Sequence, residues 1–411
     1  MAIKVGLLLF LVCTTLIPIG RGLAETVIDV TKFGAKPNGK GDSTMAMMRA
    51  WNKACHSPGP AKLLIPRGKF KTGETVFQGP CTASKRMTVE IQGTLIADND
   101  LSAYTSFYWI MFEHVDNVVV TGGGTINGRG EAVWKFDADE KIQNAPLLPV
   151  SLVFQSVRNS ALHHLNFVNS KGFHLKVTDS SGINVSNLRI TAPGNSPNTD
   201  GLHISETTNI KVTNSVIQTG DDCVSIGDGN NNVIVSGINC GPGHGISIGS
   251  IGKRPDEKSV KGVRVSNCTL TGTTNGARIK TYRASPKLQV SNIIFENLIL
   301  KNVKRPIIID QDYNSKNKIQ PWGFVLINRV SYVQPSNVKI RDVHFRNIRG
   351  TISSSKNAVM LTCSESNHCQ GIEFANIDIR PSSSARGLLP TSCVNVKPIF
   401  KGKVSLASCR R

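Results

Sequence analysis

Three short segments, Asp200-Gly-Leu-His-Ile, Asp222-Cys-Val-Ser-Ile and His244-Gly-Ile-Ser-Ile, begin twenty-two residues apart each time. A second, wider frame of the type apolar-x-apolar-x-Asn accompanies them. It recurs at Ile183, Ile210, Val233, Val263, Ile293, Val338 and Ile372, with weaker copies near Ala161 and Val118. Successive starts through the centre lie 22, 27, 23, 30 and 30 residues apart. Alternation of period two describes half-buried strands, and a period of 20–50 residues describes coils stacked on one another. The chain is therefore expected to be all-β, a single-domain right-handed parallel β-helix. The gaps of 43 residues before Ala161 and 45 before Val338 read as two coils each, one of them degenerate. Asn at a fixed phase suits left-handed turn positions and can stack as a ladder.

Helical periodicity is confined to Ser43–Cys55, where Ser43 is the expected N-cap of a short helix covering the first coil. The tail beyond Pro381 is expected to cover the other end.

Lys4 followed by the apolar run Val5–Ile19 and by Gly22-Leu-Ala24 reads as a secretory signal peptide cleaved after Ala24. A mature domain of residues 25–411 follows, outside the cell and not in a membrane. Export makes disulfides the default for the nine cysteines left after Cys13 is removed. Neighbours in sequence suggest Cys55–Cys81, Cys223–Cys240, Cys363–Cys369 and Cys393–Cys409, with Cys268 left over. The absence of any CxxC pair speaks against a zinc site. Two sequons, at Asn184 and Asn267, are glycosylation candidates and read as sharing one phase of the repeat.

The formal charge is +20, or +18 once Lys4 and Arg21 leave with the signal. A field of that sign concentrates polyanions. In an exported chain with scattered basic residues, an acidic polysaccharide fits better than nucleic acid. A monomer without a cofactor is expected.

Asn198-Thr-Asp200-Gly alone would be an ordinary turn, and Arg278-Ile-Lys280 a solvated strand face. Gly220-Asp221-Asp222 is less ordinary, because adjacent carboxylates repel. Aligning the coils puts Asp200, Asp222 and His244 in one column, with Arg278 in phase with Ser247, Ser225 and His203. Strands lie roughly 4.8 Å apart, so three carboxylates, an imidazole and two cations share about three rungs. Crowded like charges push one carboxyl up and keep it protonated as an acid. That is the chemistry of hydrolysing a glycosidic bond beside an acidic sugar. His163, His164, His174 and His203 recur at strand phases and read as packed or groove-lining.

These three motifs, together with Gly243-His244-Gly245, resemble in chain order the four-part signature of the polygalacturonases, pectin-cleaving inverting glycoside hydrolases built on a pectin-lyase-like solenoid. Ser196-Pro-Asn-Thr-Asp-Gly201 and Gly241-Pro-Gly-His-Gly-Ile-Ser-Ile-Gly249 are similar to plant enzymes, the exo-acting pollen enzymes in particular. The resemblance implies that Asp221 is the general acid, that Asp200 and Asp222 hold and activate water, and that His244 tunes the acid. Arg278, Lys280 and Tyr313 would bind galacturonate. Endo action, a pectate lyase and a non-catalytic wall-binding protein remain the alternatives.

Overall fold

Along the strand Ser181–Ser186, Ile183 and Val185 are buried while Asn184 between them is exposed. The same alternation recurs coil after coil, and the buried residues meet in register. Ile183, Ile210, Val233, Val263, Ile293, Val343 and Ile372 form one continuous row. Phe295, Phe345, Phe374 and Phe400 form another, their rings stacked 5.5, 5.1 and 5.5 Å apart. Such rows fill the interior with buried apolar side chains, which supplies most of the hydrophobic stabilisation.

The computed structural model describes residues 25–82, 86–136, 148–313, 324–327, 330–353, 358–382 and 388–409. Its strands form a 22-stranded and an 11-stranded parallel sheet, with a separate antiparallel pair at Phe324–Ile327 and Val330–Val333. The architecture is the right-handed parallel β-helix expected. Residues 1–24, expected to be a signal peptide, lie outside the described residues.

The asparagine ladder is present. Asn267, Asn297, Asn347 and Asn376 all have φ near +55° and pass side-chain amide hydrogen bonds from coil to coil at 3.1–3.3 Å. It also corrects the repeat frame. Asn347 and Val343, not Asp342 and Val338, continue the rows, because Ile293 pairs with Val343 and Phe295 with Phe345.

Both long gaps are single coils. Ala161 pairs directly with Val119, and Gln289–Val303 directly with Lys339–Ile352. No further coil stands between these strands, since an interposed degenerate coil would break the backbone ladder that they share.

Helix Thr44–Cys55 lies where expected and buries Ala46, Met47, Ala50, Trp51 and Ala54 against the first coils. Ser43 does not cap it. Its hydroxyl accepts from the Lys36 amide, and Asp42 takes the Thr44 amide instead, at 3.0 Å. The C-terminal tail adds strands rather than a lid: Thr391–Val394 pairs with Val359–Thr362, and Ile399–Val404 with Gln370–Pro381. The four disulfides form as paired above, and Cys268 is free and buried. The sequons do not share a phase. Asn184 is an outward strand residue aligned with Lys211, whereas Asn267 heads the ladder.

Candidate active site

Four strands of the 11-stranded sheet build the site: Leu202–Ser205, Val224–Ile226, Ile246–Ile251 and Asn275–Tyr282. Leu202, Val224, Ile246 and Ala277 stand in register and point inward, so His203, Ser225, Ser247 and Arg278 form the adjoining outward row. The residues just before each strand are Asp200, Asp222 and His244. Backbone bonds lock these turns together, with the Gly201 amide donating to Asp222 and the Cys223 amide to Gly245. The glycine before the carboxylate pair is required. A Cβ on Gly220 would sit 2.0 Å from the Ser196 carbonyl oxygen.

Asp222 is fully buried. Its Oδ1 accepts from Ser247 at 2.8 Å and Arg278 Nη2 at 2.7 Å, and its Oδ2 from Lys280 Nζ at 2.9 Å. Burial opposes its ionisation, but Lys280 and Arg278 outweigh it and hold the carboxyl below the usual range. Asp200 has one hydrogen-bond donor on its carboxyl, Ser225 Oγ at 2.6 Å. Burial, reinforced by the charges of Asp221 and Asp222, pushes it well above the ordinary value. Asp221 is the most exposed of the three, its side chain 23% accessible. Its Oδ1 accepts from the Asp222 amide at 2.8 Å and faces His244 Nδ1 at 2.9 Å. Tyr313 lies beside the cations, its ring centre 5.1 Å from Lys280 Nζ.

All seven residues singled out in the sequence are therefore together, with two differences. The crowding raises Asp200, because that carboxyl is buried without a cation of its own. Arg278 and Lys280 are not a solvated pair waiting for an anion; both are committed to Asp222. One ligand atom each from Asp221, Asp222 and His244 lie within 4.8 Å of one another. A metal ion there would compete with the ammonium and guanidinium already on Asp222.

Sequence reasoning gave no role to Ser225 and Ser247. Each reaches back one coil to a carboxylate, and the signal was the third position after Asp222 and His244. His203 extends the chain: its Nδ1 is 2.8 Å from Ser225 Oγ. Burial, and then the charges of Lys176 and Lys280, lowers this imidazole to about 3, so it is neutral. His174 is buried and lowered by desolvation to about 4, its ring against the Asp200 carbonyl.

Residues 55–409 match the family described as glycosyl hydrolases family 28. An exopolygalacturonase of Arabidopsis thaliana is 42% identical over 402 residues, covering 95% of this chain and 90% of that protein.

The chain belongs to glycosyl hydrolases family 28.

A second relative, an exopolygalacturonase of Platanus acerifolia, is 39% identical and covers 93% of this chain and 98% of its own length. Among solved structures, the family 28 chain is similar to an exopolygalacturonase of Thermotoga maritima, with a TM-score of 0.71 at 18% identity and 92% of each chain covered. It is also similar to an endo-xylogalacturonan hydrolase of Aspergillus tubingensis, with a TM-score of 0.75 at 21% identity, covering 94% of this chain and all of that one. These two share the fold of this chain over 92% and 94% of its length.

The outward row of this family 28 chain changes character on the side of Asp200 away from Arg278. Beyond Lys176, in register with His203, the row continues as Val153 and Met111. Both are buried on the outer face, under a cluster with Val150 that Phe107, Tyr108 and Phe173 cover. The groove is polar up to Lys176 and filled with apolar side chains after it.

Proposed function

We propose that this polygalacturonase removes single galacturonate units from the non-reducing end of polygalacturonate by one inverting displacement. Asp221, the accessible carboxyl beside His244, gives its proton to the glycosidic oxygen. Asp222, held ionised, and Asp200 hold and activate the attacking water. Tyr313 and the outer faces of Arg278 and Lys280 receive the substrate's carboxylate. The signal segment directs the enzyme out of the cell, to the wall polymer that its positive surface attracts.

The observation that carries the exo reading is the apolar block beyond Lys176, which leaves room for one sugar between the carboxylates and the closed end. Separation of the carboxylates does not support inversion by itself. Nearest oxygens of Asp221 and Asp222 lie within 4.8 Å, short of the ~6.5–9.5 Å usual for inverting pairs. Inversion therefore rests on the family resemblance.

The test is the product pattern on polygalacturonate. Monomer alone from the first turnover supports the reading. A ladder of oligomers means endo action, and products absorbing as unsaturated uronates, lost with a chelator, mean a lyase.

A further inference from the structure

Lys176 stands outward in the strand Leu175–Thr178, one rung from His203 and two from Ser225. Among the described residues its ammonium makes no hydrogen bond and no ion pair. It rests over the Phe107 ring, 4.9 Å from the centre. The nearby Arg254 is already shared by Asp228, Asp256 and Glu257. Asp228 and Glu206 favour its charge only from beyond contact distance, and a half-buried cation without a contact partner is costly and persists where something else supplies the charge. Burial lowers the Lys176 ammonium below its ordinary value, which a bound anion would reverse.

Its position says which anion. The carboxylates Asp200 and Asp222 are flanked along the groove by two basic positions. Arg278 lies two rungs from Ser225 on one side, and Lys176 two rungs on the other, each at roughly 10 Å for a spacing of about 4.8 Å. A galacturonan carries one carboxylate on every sugar, so the two sugars joined by the scissile bond present one carboxylate to each side. Beyond Lys176 the outward row is taken up by the apolar cluster, which offers a sugar carboxylate no cation.

We propose that Lys176 binds the carboxylate of the terminal galacturonate, so that the enzyme recognises the acid group of the sugar it releases. The assignment rests on the exo reading above. It makes Lys176 a substrate-specificity residue in addition to the cations beyond the cleavage point. Phe107 holds the ammonium at the closed end by its ring face, a contact that survives substrate binding because it uses no hydrogen-bond donor.

The test compares trigalacturonate with the same trimer methyl-esterified only on its non-reducing terminal carboxylate. Wild type should favour the free acid by roughly tenfold to a hundredfold in kcat/KM, the scale of one charge-assisted contact. Lys176→Met should lose that factor on the free acid, keep its rate on the ester, and so cease to discriminate. Lys176→Arg should restore most of the preference. Equal losses on both substrates, or no loss on the free acid, overturn the assignment. Thermal unfolding of each variant identifies a folding defect, in which case Lys176→Gln repeats the comparison. Product analysis of the wild-type digest separates the two failures. Internal fragments sink the exo reading and the terminal-sugar role together, whereas monomer release with an unaltered Lys176→Met variant sinks the role alone.

Discussion

Lys280 donates its ammonium to Asp222 at 2.9 Å, with the two side chains only 9% and 1% accessible. Arg278 holds the other oxygen of the same carboxylate. The two cations thus serve the protein before they serve a substrate. Breaking one side of a buried pair costs more than the pair contributes, because the remaining charge is stranded.

Asp222→Asn should therefore destabilise the fold by about 3–5 kcal/mol, besides abolishing activity. Asp200→Asn should abolish activity while keeping or raising the melting temperature near neutral pH. An amide copies the protonated carboxyl that burial already favours there. Thermal unfolding of both variants checks the asymmetry; equal losses would contradict the opposite directions in which their surroundings move the two carboxyls.

The signs extend to pH. Asp222 is lowered in the folded state, so its stabilisation is present above the ordinary carboxylate value and is lost as pH falls through the lowered one. Asp200 is raised, so stability declines as pH climbs from the ordinary value through the raised one. Asp200→Asn should remove that decline. A melting-temperature curve against pH that is parallel to wild type would count against it.

Lys280→Met should reduce kcat/KM by roughly tenfold to a hundredfold, as loss of a charge-assisted contact. From the sequence alone, with the cations taken as surface groups, unfolding would have been expected to stay unchanged. With Asp222 losing a partner, the melting temperature should fall too. Arg278→Lys should be damaging as well, since lysine cannot donate to Ser247 and Asp222 from one planar fork.

Ser225→Ala should leave the fold intact and move the pH profile. The Ser225 hydroxyl lowers Asp200 against the pull of burial, so removing it raises that carboxyl further. The limb of kcat/KM that reports Asp200 should shift to higher pH. A profile of unchanged shape would show that Ser225 acts only in packing.

The twenty-two-residue spacing made the coil and the column of Asp200, Asp222 and His244 legible, because strand pairing requires residues one period apart to be neighbours. The Asn phase was legible for the same reason. The Val338 frame failed because Val338-Lys-Ile340-Arg-Asp342 also alternates, five residues before the segment that pairs with Ile293-Ile-Phe295. Partner choice among the charges was not legible either. Whether Lys280 faces solvent or Asp222 depends on side-chain reach across three coils, which spacing along the chain does not encode. The block beyond Lys176 was hidden because Met111, Val153 and Phe173 come from separate coils, the first two at ordinary strand positions and the third just before a strand.

Asp221→Asn should lower kcat by at least ~100-fold with folding and substrate binding kept, the scale of lost general acid catalysis. Single-turnover rates and equilibrium binding measure the two parts. A rate near wild type would remove Asp221 from the acid role.

The central claim is that one water, held by Asp200 and Asp222, displaces the leaving sugar in a single step assisted by Asp221. Proton NMR during the first turnovers on an α-1,4-linked oligogalacturonate tests it most directly. The account predicts the β-anomer of galacturonate first, with the α-anomer growing in only by mutarotation. Initial release of the α-anomer would mean a double displacement through a covalent intermediate, in keeping with the short Asp221–Asp222 separation, and would contradict the roles given to all three carboxylates.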